Sequence, residues 1–178
     1  MSIFSNLFSR KTNKQPKKVA QIGSEIALPA YVIHQIPYYL DKVPDWISPN
    51  SGWGYKKENA LIMACEDPTE GVQNEYAFAE FRSKIEVREA MEMYFASIER
   101  CGQQLIIDES NHHYDVISFK VYLFTEKDWT FLKNDFEIHN NYENDEAGFN
   151  KHTRLRNKMI RYYMTECWIN IDSFYGKY

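Results

Sequence analysis

The chain is poor in glycine, proline and cysteine, and it has no long apolar run. Its 178 residues hold seven glycines, six prolines and three cysteines. So little glycine and proline excludes collagen-like and low-complexity classes. The longest unbroken apolar run is six residues, 60–65, far short of the roughly 20 that a membrane-crossing helix needs. Cys65, Cys101 and Cys167 are odd in number and widely spaced, which excludes a disulfide framework and a CxxC site. Each sits among apolar neighbours and reads as small core filler, and unpaired thiols favour the cytoplasm. The glycines form neither GxGxxG nor GxxxxGKS/T, so no phosphate cradle is present. No GxSxG nucleophile elbow and no HExxH zinc motif occur either.

What is there argues for a folded chain. Apolar residues make up 44% and aromatic residues 16%, enough for a core, and the length fits one domain. The net charge of −4 is unevenly spread. Residues 1–18 carry Arg10, Lys11, Lys14, Lys17 and Lys18 and no acid, and Gln15-Pro16 marks them as a basic flexible tail. The remaining 16 bases face 25 acids, so residues 19–178 form a single domain of charge −9. From 58 to 149 there are 20 acids against 7 bases, or −13, before Lys151, Arg154, Arg156, Lys158 and Arg161 reverse the sign.

The tail begins with Ile3, Phe4, Leu7 and Phe8, interrupted by polar residues and followed by the charges. That order is wrong for a secretory signal. A short apolar face ahead of basic residues suits contact with an anionic membrane surface; the plainer reading is a solvated tail, or one that docks on its own domain.

Residues 19–52 carry Pro29, Pro37, Pro44 and Pro49, which forbid a long helix or central strand. Short segments there would pack Tyr31, Ile33, Ile36, Tyr39, Leu40 and Trp46 onto the body, and Trp53 between two glycines would cover the core edge. Residues 59–65 read as a buried strand, 67–71 as a turn, and 74–82 as an alternating strand. Ser83 and Glu86 have capping-box spacing. Val87, Ala90, Met91, Tyr94, Ile98 and Cys101 then recur at helical intervals, ending at Gly102. Residues 105–108 and 116–124 form a hairpin around a polar turn, 108–115. Thr125 caps a helix through Trp129, Leu132 and Phe136. Ile160, Met164, Cys167, Trp168, Ile171 and Tyr175 make a last helical stripe. The basic run at 151–161 is best placed if that helix starts earlier, with Asn144 as cap, because cations early in a helix oppose its dipole. The order β-β-α-β-β-α-α predicts an α+β fold: a small antiparallel sheet packed against helices, after an irregular proline-containing start.

Most chemistries fail on these residues. A calcium loop from Asn141 would need glycine where Glu146 stands and glutamate where His152 stands. The cysteines lie on apolar stripes, unsuited to a reactive thiolate. Nucleic-acid binding is not expected of an acidic domain, and no cofactor site can be read. The richest cluster of ligating side chains is 108–115. There His112 and His113 could serve a metal-dependent hydrolase with a distant partner such as His139 or His152; the plain reading is a solvated hairpin loop.

The acidic middle carries the leading expectation. Such a field steers a positively charged partner, and the 13 tyrosines are a residue type enriched at interfaces. The sequence predicts a non-catalytic cytoplasmic binding protein, of the immunity or inhibitor type, that occludes a basic protein partner. Glu86, Glu89 and Glu92 on a capped helix, with Asp108, Glu109 and Asp115 in the hairpin, would supply the contact. Acidity of this kind also serves solubility in many bacterial domains.

Overall fold

A computed structural model describes residues 22–30, 45–48 and 50–177. The basic tail and Tyr31, Ile33, Ile36, Tyr39 and Leu40 lie outside the described residues. Among the described residues the architecture is a mixed α/β arrangement of a five-stranded sheet and three helices. Strands β1 (Ser24–Glu25) and β2 (Leu61–Ile62) precede helix α1 (Pro68–Ile85). Strands β3 (Tyr94–Ile107) and β4 (His113–Phe124) form a hairpin. Helices α2 (Glu126–Ile138) and α3 (Glu146–Met159) follow, then strand β5 (Arg161–Asn170). The sheet order is β1-β5-β4-β3, with β2 also on β5. The three long strands are antiparallel, and β1 and β2 run parallel to opposite ends of β5. Among the described residues no helix is long and apolar enough to cross a membrane.

Several elements differ from the sequence reading. Residues 67–71 are a helix start, not a turn: Asp67 Oδ1 accepts from the amides of Thr69 and Glu70 at 2.7 and 3.1 Å, with Pro68 at the first helical position, where its missing N–H costs nothing. Residues 74–82 are helical. The buried face of α1 is Gly71, Glu75, Phe78, Ala79, Arg82 and Ser83, a 3.6-residue period that three polar members disguise. Gly71 is needed there, because a Cβ would lie 2.7 Å from the Phe174 ring. Ser83 is therefore inside a helix rather than capping one. Past Ile85 the helix widens into a π turn, Glu86–Ala90, closed by Met91 N–H on Glu86 O at 3.0 Å. Glu92, at φ 53°, turns the chain into β3, so Tyr94, Ile98, Cys101 and Gly102 are strand residues. Two register shifts, at Phe95/Ser97 and Arg100/Gly102, break the alternation that would announce this strand. Cys65 and Cys167 are buried as core filler, whereas Cys101 is exposed. The last stripe is likewise a strand: Tyr163, Cys167 and Ile169 of β5 are fully buried on one face.

Other elements stand with altered bounds: the strand read at 59–65 is only Leu61–Ile62, and the turn read at 108–115 ends before His113, where β4 begins. β4 alternates as expected, and Thr125 Oγ1 accepts from Asp128 N–H at 3.1 Å to cap α2. Asp145, one residue past Asn144, caps α3. Lys151, Arg154, Arg156 and Lys158 therefore fall in the middle and last turns of α3, away from its positive end, and Arg161 opens β5.

Packing follows strand parity. Ile117, Phe119, Cys167 and Ile169 meet Phe78 and Ala79 of α1, while Val121, Leu123 and Tyr163 meet Val87. Phe124 alternates onto the other face, where it packs with Leu132 and Ile160 beside Leu155. Trp53 covers the core edge, stacked on Phe78 at 5.7 Å.

The outer edge of β5 is covered in pieces. Ile26 N–H donates to Tyr162 O at 2.8 Å, and Trp168 N–H donates to Gly54 O at 2.8 Å. Between them lies Arg82, fully buried. Its Nη2 donates to Glu166 O at 2.8 Å and Thr165 Oγ1 at 2.9 Å, and its Nη1 donates to Trp53 O at 2.9 Å. Glu86 balances the charge, with Oε1 3.2 Å from Nε. Tyr55 donates to Glu86 at 2.6 Å, and Tyr163 donates to its other oxygen. Burial and the Glu86 carboxylate push both tyrosine hydroxyls up, so both remain donors. Removing one partner of a buried ion pair strands the other. Arg82→Leu should therefore destabilise the fold by about 3–5 kcal/mol, read as the loss in urea-unfolding free energy.

Candidate functional site

The six acidic residues expected at one surface do not share one. Glu86 is fully buried on Arg82 and cannot meet a partner. A helix beginning at Ser83 would leave Glu86 exposed; the helix that begins at Pro68 and runs into the π turn faces it inward. Asp115 is also buried, at 8% exposure, on the face of β4 toward α1. Glu89 and Glu92 are exposed beside the π turn, whereas Asp108 and Glu109 lie at the hairpin tip. The 14 residues of β3 separate these pairs, about 45 Å at about 3.3 Å per residue.

The hairpin end has the richer geometry. Asp108 closes the turn: its Oδ1 accepts from Ser110 and His112 amides at 2.9 and 3.0 Å, and its Oδ2 is 2.9 Å from Lys57 Nζ. Lys57 and the amides hold its carboxyl down at about 2. Asn111 takes the left-handed conformation the turn needs, at φ 63°. Glu109 beside it is exposed.

His112 and His113 are brought together by Asp172, just past β5. Its Oδ2 lies 2.7 Å from His112 Nδ1, and its Oδ1 lies 3.0 Å from His113 Nδ1. The His113 amide also donates to Oδ1, at 2.8 Å. Burial pushes the Asp172 carboxyl up, but His113 N–H, both imidazoles and Asn170 outweigh it and hold it at about 2. His139 and His152 are elsewhere, grouped around Asp135, which accepts from Tyr142 at 2.6 Å and lies 2.7 Å from His152 Nδ1. Among the described residues no group of three or more His, Cys, Asp and Glu side chains is placed to hold a metal ion, and His139 and His152 do not join His112 and His113. Nor does any described hydroxyl or thiol hydrogen-bond to either imidazole. A depression of about 460 Å³ lies beside them, lined by Ser51, Lys57, Asn59, Tyr114 and Asn170. Three of its polar side chains make local bonds: Ser51 Oγ accepts from Ile62, Asn59 Oδ1 accepts from Lys56, and Lys57 pairs with Asp108.

The same end carries exposed apolar side chains. The His113 ring stacks on Tyr175 at 4.0 Å, and His113 pairs across the strands with Ile107. Leu105, two residues along, points to the same sheet face. Leu105, Ile107 and Tyr175 are 48, 52 and 42% exposed, with Glu109 and Asp172 alongside. Sequence reasoning missed Ile107, Tyr175 and Asp172 as a group, because Tyr175 was counted into a helical stripe that is really strand β5 and a turn. Comparison with protein-family models, curated proteins and solved structures finds no match for this chain.

Asp172 gives a pH prediction. Its carboxyl is held below its ordinary 3.8, so its stabilisation is present above that value and lost as pH falls toward about 2. Asp172→Asn should cost about 1 kcal/mol near neutrality, after screening of a partly exposed group. It should also flatten the acid limb of the stability profile in that window, measured by urea unfolding against pH.

Proposed function

We propose that this chain is a non-catalytic binding protein, of the immunity or inhibitor type, whose hairpin end occludes a basic surface of a protein partner. One observation carries the reading: three exposed apolar side chains, Leu105, Ile107 and Tyr175, stand beside the carboxylates of Glu109 and Asp172 at one end of the sheet. Apolar anchors inside a charged rim are the anatomy of a protein interface. The surplus of 13 acids over residues 58–149 supports capture of a cationic partner, since such a field raises the encounter rate. Glu89 and Glu92 contribute to that field from a distance and not to the contact. The reading places the protein in the cytoplasm, where its three unpaired cysteines stay reduced.

The test is co-purification from native lysate at low and moderate salt. Wild-type protein and a Glu89→Lys/Glu92→Lys control should retain the same basic protein. Leu105→Asp/Ile107→Asp should lose it, with affinity reduced roughly 30-fold or more if these are true anchors. Glu109→Lys should weaken binding and reduce its salt dependence. Equal retention by wild type and both hairpin variants overturns the reading.

A further inference from the structure

We propose that Glu75 and Asp115 share a single proton in the core, and that this proton acts as a pH-sensitive latch between α1 and the hairpin. Glu75 projects from the buried face of α1 and is 1% exposed; Asp115 projects from β4 and is 8% exposed. Each carries one buried oxygen, Glu75 Oε2 and Asp115 Oδ1, with no hydrogen-bond partner. Two ionised carboxylates would leave both as bare acceptors facing like charge. One proton turns the first into a donor and the second into its acceptor.

The surrounding charges fit one proton. From β3, Gln103 Nε2 donates to the other Asp115 oxygen, and Arg100 Nη1 donates to Gln103 Oε1 at 2.8 Å. Arg100 also donates to Tyr76 of α1. On the core side stand Cys65, before α1, and Cys167, on β5; burial pushes both thiols up, Cys167 to about 11, so both are neutral. The group thus has one nearby cation, Arg100, and two acids. A pair holding one proton matches that cation; a doubly ionised pair does not. Burial first, then the Asp115 charge, pushes Glu75 up to about 8. Burial raises Asp115 also, but the Gln103 donor and then the Arg100 charge favour its ionised form, which places the proton toward Glu75, where no such donor or cation stands among the described residues.

The direction of the pH effect follows. Between its ordinary 4.5 and about 8, Glu75 is protonated in the folded chain and ionised in the unfolded one. Folding takes up a proton there, and stability falls as pH rises across that window. Glu75→Gln keeps a donor toward Asp115 and cannot ionise.

The experiment reads the isolated full chain, so it is independent of any partner. The denaturation midpoint of wild type should fall as pH rises from about 5 to about 9, and that of Glu75→Gln should fall distinctly less. At neutral pH the wild-type infrared spectrum should show a buried carboxylic-acid C=O band that is absent from Glu75→Gln. Matching pH slopes in the two proteins would overturn the proposal. Should Glu75→Gln not fold, the wild-type band decides: titration near pH 8 supports the shared proton, and disappearance by about pH 5 overturns it.

Discussion

A buried guanidinium holds the fold together at the point where the sheet is incomplete. The edge of β5 has short parallel partners at its two ends, and nothing that short can satisfy the stretch between them. Arg82 fills the gap with donors rather than with a strand, reaching Glu166 O, Thr165 Oγ1 and Trp53 O. It thereby ties three separate pieces of chain: α1, β5 and the loop through Trp53 and Gly54. Gly54 belongs to the same device. At φ 67°, its Cβ position lies 3.0 Å from Trp168 O, so only glycine lets that loop approach β5. Glu86, one turn along α1, neutralises the guanidinium and accepts from two tyrosines. A charge buried in this way is costly unless it is paired, and here Glu86 and three acceptors surround it.

This node also explains which parts of the fold were legible in the sequence. β4 and the cap at Thr125 declare themselves, because β4 alternates cleanly and the threonine precedes a standard amphipathic stripe. α1 does not. Its inward face includes Glu75, Arg82 and Ser83, so apolar periodicity points away from a helix. The residues Tyr76, Ala77, Phe78 and Ala79 meanwhile imitate alternation. β3 fails for the opposite reason: two bulges shift its phase, and its exposed residues leave a spacing that imitates a helix. β5 buries Tyr163, Cys167 and Ile169 against α1 and the π turn, while its other face carries Tyr162, Met164 and Trp168 beside Glu166. Apolar side chains on that second face blur the polar–apolar alternation that identifies a strand.

The candidate site was legible as a region rather than as a set of residues. The tip lies within the polar turn read at 108–115, although Asp115 belongs to β4 and points inward. The character of the tip, however, comes from contacts that span about sixty residues of sequence: Asp172 between His112 and His113, and Tyr175 on the His113 ring. No local pattern encodes such contacts. Acids outnumber bases by 13 across 58–149, yet three of them, Glu75, Glu86 and Asp115, are buried. Net charge describes the field that a partner meets from afar and says little about which carboxylates it touches.

The central claim is that the hairpin end is the binding face. Hydrogen–deuterium exchange on the full chain, alone and bound to the protein it captures, tests it most directly. The account predicts new protection at residues 104–113 and 171–176, where exposed apolar side chains become covered. Protection confined to α1, α2 or α3, with the hairpin end unchanged, would contradict it.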